Sequence, residues 1–339
     1  MIIEKEEIYI LLNEYYLRGI NEIAVGYPPF EVNLFTLNLD NFKVEDVISA
    51  RDLNGIKRKY ARTDFLRKDL PDYHDLLDSF LSSGILPFEN EEEIRNNFKL
   101  LNESIKDRTI YVKPVFLGID TNMAYHRVIS RRIKDSFKYV LSEIVIEEVD
   151  ARIHSKYSGK MIHELEELPY HSVMYEFVNG STKDCRKAKN AMNEIYYLLN
   201  VKDAFRVGKR SENRDKEVRD REIIEEYKNF SDKIRAEVVV LTADKDMVFH
   251  AQAQQLSCIY YKLPHKMEVD KIDPLHLPPL IYDLTLNFGV ISLNNTILLG
   301  EWRGKEAEDY FQERLKIYNV DRETAKDINA CRGASNEFS

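Results

Sequence analysis

Two aspartates stand where apolar runs stop: VFLGID (115–120) ends at Asp120, and VVVLTAD (238–244) ends at Asp244. If both runs are strands of one parallel sheet, both carboxylates face the crevice beyond the strands' carboxyl ends, where open α/β sheets bind ligands. A single Asp in that position also serves as the cap of the next helix, so the pair carries the argument. Asp246 is either a further acid at that edge or a first-turn residue favoured by the helix dipole. Two more acids come from helical segments. In LSEIVIEEVDARI, Ile146, Val149 and Ile153 mark a buried stripe that Glu148 borders, with Glu147 as its rival. In NRDKEVRDREIIEEY, Val218, Ile223 and Ile224 mark the inward side, and Asp220 lies near its edge with Asp215 as the competitor. Glu148 alone reads equally well as a solvated flank, and for Asp220 the local sequence by itself favours a solvated face. Four carboxylates in one confined site would repel one another, and hard oxygen-seeking cations such as Mg²⁺ or Mn²⁺ resolve that conflict. Paired ions of this kind serve phosphodiester hydrolysis.

The chain must supply elements that bring these acids together. Its 339 residues carry 49 Lys and Arg against 58 Asp and Glu, a net charge of −9, with 44% hydrophobic and 32% charged residues. That composition suits a soluble globular protein of two or more domains and excludes collagenous and low-complexity classes. No apolar stretch approaches membrane-span length and no secretory signal opens the chain, so a cytoplasmic protein without membrane contact is expected. Cys185, Cys258 and Cys331 are too few and too far apart for a disulfide framework or a cysteine zinc site.

Patterning suggests three consecutive parts. Residues 1–110 read as an α-rich domain of unknown role: Ile8, Leu11, Leu12, Tyr15 and Tyr16 share a helix face, 31–40 is extended, Leu76, Leu77, Phe80 and Leu81 mark another helix, and Asn90 with Glu93 caps a third. Residues 111–264 read as an α/β domain. Strands at 115–120, 138–142, 238–244 and 257–263 alternate with helices at 124–135, 143–154, 183–200, 213–230 and 245–255, with a helical insertion over about 155–212. Residues 265–339 read as a small α+β domain. It starts with a proline-rich linker at 273–279, continues with a hairpin turning at Asn294 and Asn295, and ends with a helix over 305–318.

FLGIDTN, the Glu-Val pair in IVIEEVD, D-R-E-I and LTADKDM occur in the order found in the PIN-domain family, which this chain resembles over about 113–264. The resemblance implies a parallel-sheet core flanked by helices and an Mg²⁺- or Mn²⁺-dependent nuclease, mostly endoribonucleolytic, with two ions held by acids. On that basis Asp120, Glu148, Asp220 and Asp244 match the catalytic and metal-binding acids, and Asp246 a frequent fifth. Asn122 and Thr242 take the places of small polar residues that help position metal, water or phosphate. The implied partner is RNA, single-stranded or structured, and the implied products are a 5′-phosphate and a 3′-hydroxyl. The 71 residues between Glu148 and Asp220 do not suit the small toxin class of the family. A PIN-like RNA-binding or scaffold module without turnover is the alternative, and a structure-specific DNA nuclease the third reading. A homodimer is left open.

Residues 183–221 hold twelve Lys or Arg against seven Asp or Glu, a local excess of about five positive charges beside Asp220. Lys209, Arg210 and Arg214 are the favoured phosphate contacts, with Arg131, Arg132 and Lys134 a second group. Tyr125 and His126 could stack a base, though packing suits them better, and Trp302 reads as a seal of the last domain. GEWRGK lacks the spacing of a phosphate loop, and HELEE lacks the second His of a zinc protease.

Overall fold

The computed structural model describes residues 1–106, 113–134 and 136–336. They form two compact units: Pro87–Ile153 with Ala188–His265, and Met1–Leu86 with His154–Lys187 and Lys266–Ser339. No helix among the described residues is long and apolar enough to cross a membrane.

The unit that carries the acids is built on five parallel strands, in the spatial order Phe205–Val207, Lys138–Ser142, Val115–Ile119, Glu237–Thr242, Ser257–Tyr260. Val115–Ile119 is buried throughout, as a central strand covered by helices on both faces must be. Strand order reverses beside it: the chain moves outward one way through Lys138–Ser142 and the other way through Glu237–Thr242. The crevice of such a sheet therefore opens between Val115–Ile119 and Glu237–Thr242. Gly118 lies opposite Val140 and Val240. A Cβ there would meet the Tyr227 ring at 3.0 Å, so the glycine is what lets the helix Lys216–Ile234 lie close on the sheet. The Tyr227 hydroxyl donates to Ile119 O (2.6 Å) and accepts from Ser142 N–H (3.3 Å), tying that helix to two strands.

The other unit is an antiparallel sheet in the order Ile2–Glu4, Arg314–Tyr318, Thr296–Leu299, Val290–Leu293, Glu22–Tyr27, Val32–Asn38, Val44–Glu45. Asn294 supplies the left-handed backbone (φ 50°) for the expected hairpin turn. The helix Leu277–Phe288 is buried along almost its whole length.

Several sequence expectations differ from this arrangement. Strands from both ends of the chain share one sheet, so residues 1–110 are not a free-standing α-rich domain and 265–339 is not a separate one; the border at 110/111 lies outside the described residues. The stretch 155–212 is not a wholly helical insertion, since 205–207 adds the edge strand of the parallel sheet and 154–187 belongs to the other unit. The proline-rich 273–279 is no linker: Pro274–His276 is one helical turn and Pro278 and Pro279 open the buried helix, where a missing N–H costs nothing. The helix expected over 305–318 stops at Phe311, and Arg314–Tyr318 is a strand, because R-L-K-I-Y alternates in and out. The helix expected over 124–135 breaks at Arg127 (φ 52°) into Thr121–Tyr125 and Val128–Arg132, and residue 135 lies outside the described set.

Candidate active site

Asp120 follows the last residue of the central strand, and its carboxylate is buried. It accepts from the Thr121 N–H (2.6 Å), Thr242 Oγ1 (2.7 Å) and Asn122 Nδ2 (3.1 Å). Thr242 ends the neighbouring strand, and its hydroxyl also accepts the Asp244 N–H (2.9 Å), so one buried side chain links the two strand-end acids. Asp244 accepts the Asp246 N–H (2.9 Å) and caps the helix Lys245–Ala253. Capping and presentation at the crevice are thus the same geometry for this residue. Asp246 is exposed on the first turn.

The two pairs of helical acids differ in their contacts. Asp215 is the exposed N-cap of Lys216–Ile234 and accepts from Val218 N–H (3.2 Å), whereas Asp220 is buried one turn further on. Glu147 turns to the loop before that helix, accepting from Ser211 N–H (3.0 Å). Glu148 accepts from Thr121 Oγ1, the residue after Asp120, and pairs with Arg219 Nε at 3.0 Å.

The electrostatics place these acids in one field. Burial pushes the Asp120 carboxyl up to about 6, against the hydrogen bonds from Thr242, Thr121 and Asn122, and the Glu148 charge pushes the same way as burial. Asp220 is pushed up to about 7, first by burial and then by the charge of Asp120, with Asp244 and Glu148 adding to it and Lys216 opposing. Burial would raise Asp244 as well, but the Lys216 ammonium, donating to its Oδ2 at 2.5 Å, and backbone donors hold it below the usual carboxylate range. Among the described residues no three acidic, His or Cys side chains are closed around a single point as metal ligands. The four carboxylates instead line an open cluster, in which the charges of Asp120, Asp244 and Glu148 all push Asp220 up. Their oxygens are the hard donors that Mg²⁺ or Mn²⁺ takes, and the cluster already draws two cationic side chains onto itself, so the donor set fits such ions.

Of the residues expected to meet nucleic acid, Thr242 is fully buried and, with Asn122, is spent on orienting Asp120 rather than reaching outward. Arg132 also differs from expectation: its guanidinium lies 4.9 Å from the Phe88 ring centre and pairs with Glu91 at 3.6 Å, which leaves 13% of the side chain exposed. Arg131 is half-buried on the same short helix, as is Tyr125 beside the Arg152 guanidinium, while His126 is buried in the helix packing. Lys209, Arg210 and Arg214 are exposed on the loop that precedes Asp215. That loop is held from behind by acids: Glu226 accepts Lys209 N–H (3.0 Å), and Glu222 accepts from Ser211 and from Asn213 Nδ2 (2.5 Å). The local positive excess over 183–221 shrinks in three dimensions, because partners outside the stretch absorb it. Lys183 and Lys187 pair with Asp75, Arg206 with Glu143, Lys216 with Asp244 and Arg219 with Glu148. Sequence reasoning missed Lys216, Arg219 and Thr121 as members of the site. The helical spacing of Lys216, four residues before Asp220, was the one available signal.

Residues 118–262 match a family model described as the PIN domain. Searches of curated proteins and of solved structures returned no significant match.

Proposed function

Residues 118–262 are a PIN domain, and on that premise we propose that the chain is a divalent-metal-dependent endoribonuclease. The observation that carries the reading is the gathering of Asp120, Glu148, Asp220 and Asp244 at the switch point of the parallel sheet, with Asp120 and Asp220 both held far above ordinary carboxylate behaviour. Those four residues would hold Mg²⁺ or Mn²⁺, with Asp246 at the rim. The chemistry such ions supply is polarisation of the diester and acidification of an attacking water. The protein's own share is positioning. Thr242 and Asn122 fix the Asp120 oxygens, Tyr227 fixes the helix bearing Asp220, and the loop with Lys209, Arg210 and Arg214 presents positive charge to the strand's backbone. Hydrolysis would break the bond to the 3′ oxygen and leave a 5′-phosphate and a 3′-hydroxyl.

Labelled single-stranded RNA and DNA incubated with Mn²⁺, with Mg²⁺ or with chelator test the proposal. Internal cleavage of RNA that needs metal and disappears in Asp120→Asn is the expected result. Preferential cutting of DNA would move the substrate class. A second reading, an RNA-binding or scaffold module without turnover, is favoured by one observation: Asp244 and Glu148 already carry internal cations. Metal-independent RNA binding with no cleavage under any of these conditions would establish it.

A further inference from the structure

Lys216 and Arg219 sit on the first turn of the helix that carries Asp220, and each is spent on a different acid of the cluster. Lys216 Nζ lies 2.5 Å from Asp244 Oδ2, and Arg219 Nε lies 3.0 Å from Glu148 Oε1. The two cations differ in surroundings. Arg219 is enclosed, with 15% of its side chain exposed, and a further contact to Glu147 at 3.6 Å. Lys216 reaches Asp244 from the solvent side, with 72% of its side chain exposed. An exposed ammonium on a four-carbon stem is held weakly and can swing away at little cost. A cation bound through Asp244 Oδ2 would take the place of this ammonium. We propose that Lys216 is a resident counter-cation of Asp244, displaced when a divalent ion enters, and that its freed ammonium then binds the phosphate of the nucleic acid. This rests on the metal-dependent reading of the site.

The charges around Lys216 favour such an arrangement. Asp244, Asp220 and Asp120 all act on the Lys216 ammonium, so without metal it offsets repulsion across the cluster. Once a divalent ion supplies that charge, the ammonium loses its carboxylate partner and is repelled by the ion. A phosphate beside the ion would then offer the ammonium an anion of opposite sign. Arg219, enclosed between Glu147 and Glu148, stays as a positioning residue.

The test uses the full chain and Mn²⁺ alone, followed by calorimetric titration, with metal-free melting as the second readout. Removing an exposed competing pair should tighten Mn²⁺ binding in Lys216→Gln by about two- to fivefold and lower the metal-free melting temperature. Lys216→Arg should stay near wild type. Lys245→Gln deletes the same charge next to Asp244 at an exposed side chain with no ion pair among the described residues, and should change Mn²⁺ affinity less. In saturating Mn²⁺, uridine 5′-monophosphate, which has no diester to cut, should bind Lys216→Gln more weakly than wild type. Equal Mn²⁺ affinity in wild type and Lys216→Gln, or an equal gain in Lys245→Gln, overturns the proposal while the metal site stands. Unchanged nucleotide affinity overturns the transfer to phosphate. If neither wild type nor Lys216→Gln binds Mn²⁺, the metal-dependent reading itself fails and this proposal with it.

Discussion

At the scale of single residues, the raised acids make the site's stability depend on pH in an unusual direction. An ordinary Asp titrates near 3.8, whereas Asp120 and Asp220 stand at about 6 and about 7 in the fold. Below about pH 4 folded and unfolded chains hold the same protons on these groups. Between about 4 and 7 the folded chain keeps protons that the unfolded chain has released, so their contribution to stability falls as pH rises. Above the folded values the penalty is complete. Asp220→Asn should therefore raise the metal-free melting temperature relative to wild type at about pH 8 and leave it unchanged near pH 4. A difference of equal size at both ends would remove the repulsion argument. Because an entering ion competes with these protons, the stabilisation by Mn²⁺ should grow from about pH 5 to about pH 8 in wild type.

At the scale of elements, the site depends on how closely one helix lies on the sheet and how firmly a short helix is held beside it. Tyr227 fills the space left by Gly118 and bridges Ile119 and Ser142. Tyr227→Phe leaves a buried carbonyl and a buried N–H short of a partner and should cost about 1–3 kcal/mol in denaturant unfolding. Gly118→Ala forces a methyl against the ring and should cost about as much. Both should depress cleavage more than RNA binding, since they move Asp220 and not the basic loop. The short helix Val128–Arg132 depends on Glu194, which is fully buried, accepts the N–H groups of Ile129 (2.6 Å) and Ser130 (2.9 Å) and pairs with Arg127 at 3.3 Å. Glu194→Ala removes the carboxylate from a buried guanidinium that Asn190 Oδ1 (2.9 Å) still holds, and from two backbone N–H groups, and a loss of about 3–5 kcal/mol is expected. Loss of under about 1 kcal/mol would mean that the contacts Arg127 keeps with Asn190 and Ser130 suffice for its charge.

At the scale of the molecule, the antiparallel unit is closed by its two ends. Ile2–Glu4 pairs with Arg314–Tyr318, Arg18 pairs with Asp321, and Arg332 with Glu7. A fragment of residues 1–110 lacks the strands that separate Ile2–Glu4 from Glu22–Tyr27, so it should show no cooperative unfolding by circular dichroism. Mixing it with the remaining chain should restore a transition if the sheet is what stabilises it. A cooperative transition for the fragment alone would restore the picture of an independent first domain.

What the sequence determined by itself were the features with local causes. Asp120 and Asp244 announce themselves because an apolar strand ends at each, and the parallel sheet follows from apolar runs alternating with helical spacing. The Asn294 turn and the helix Tyr73–Ser82 are equally legible, each carrying its own turn or stripe. Tertiary structure alone decided the rest. Glu147 and Glu148 are neighbours on one helix, Arg219 reaches both, and only Thr121 on one side and Ser211 on the other tell them apart. Charge runs mislead for the same reason: Lys183 and Lys187 are neutralised by Asp75, more than a hundred residues away in sequence. Strand pairing between the two ends of the chain leaves no periodic trace either, because a hydrogen bond between backbones does not depend on which side chains carry it.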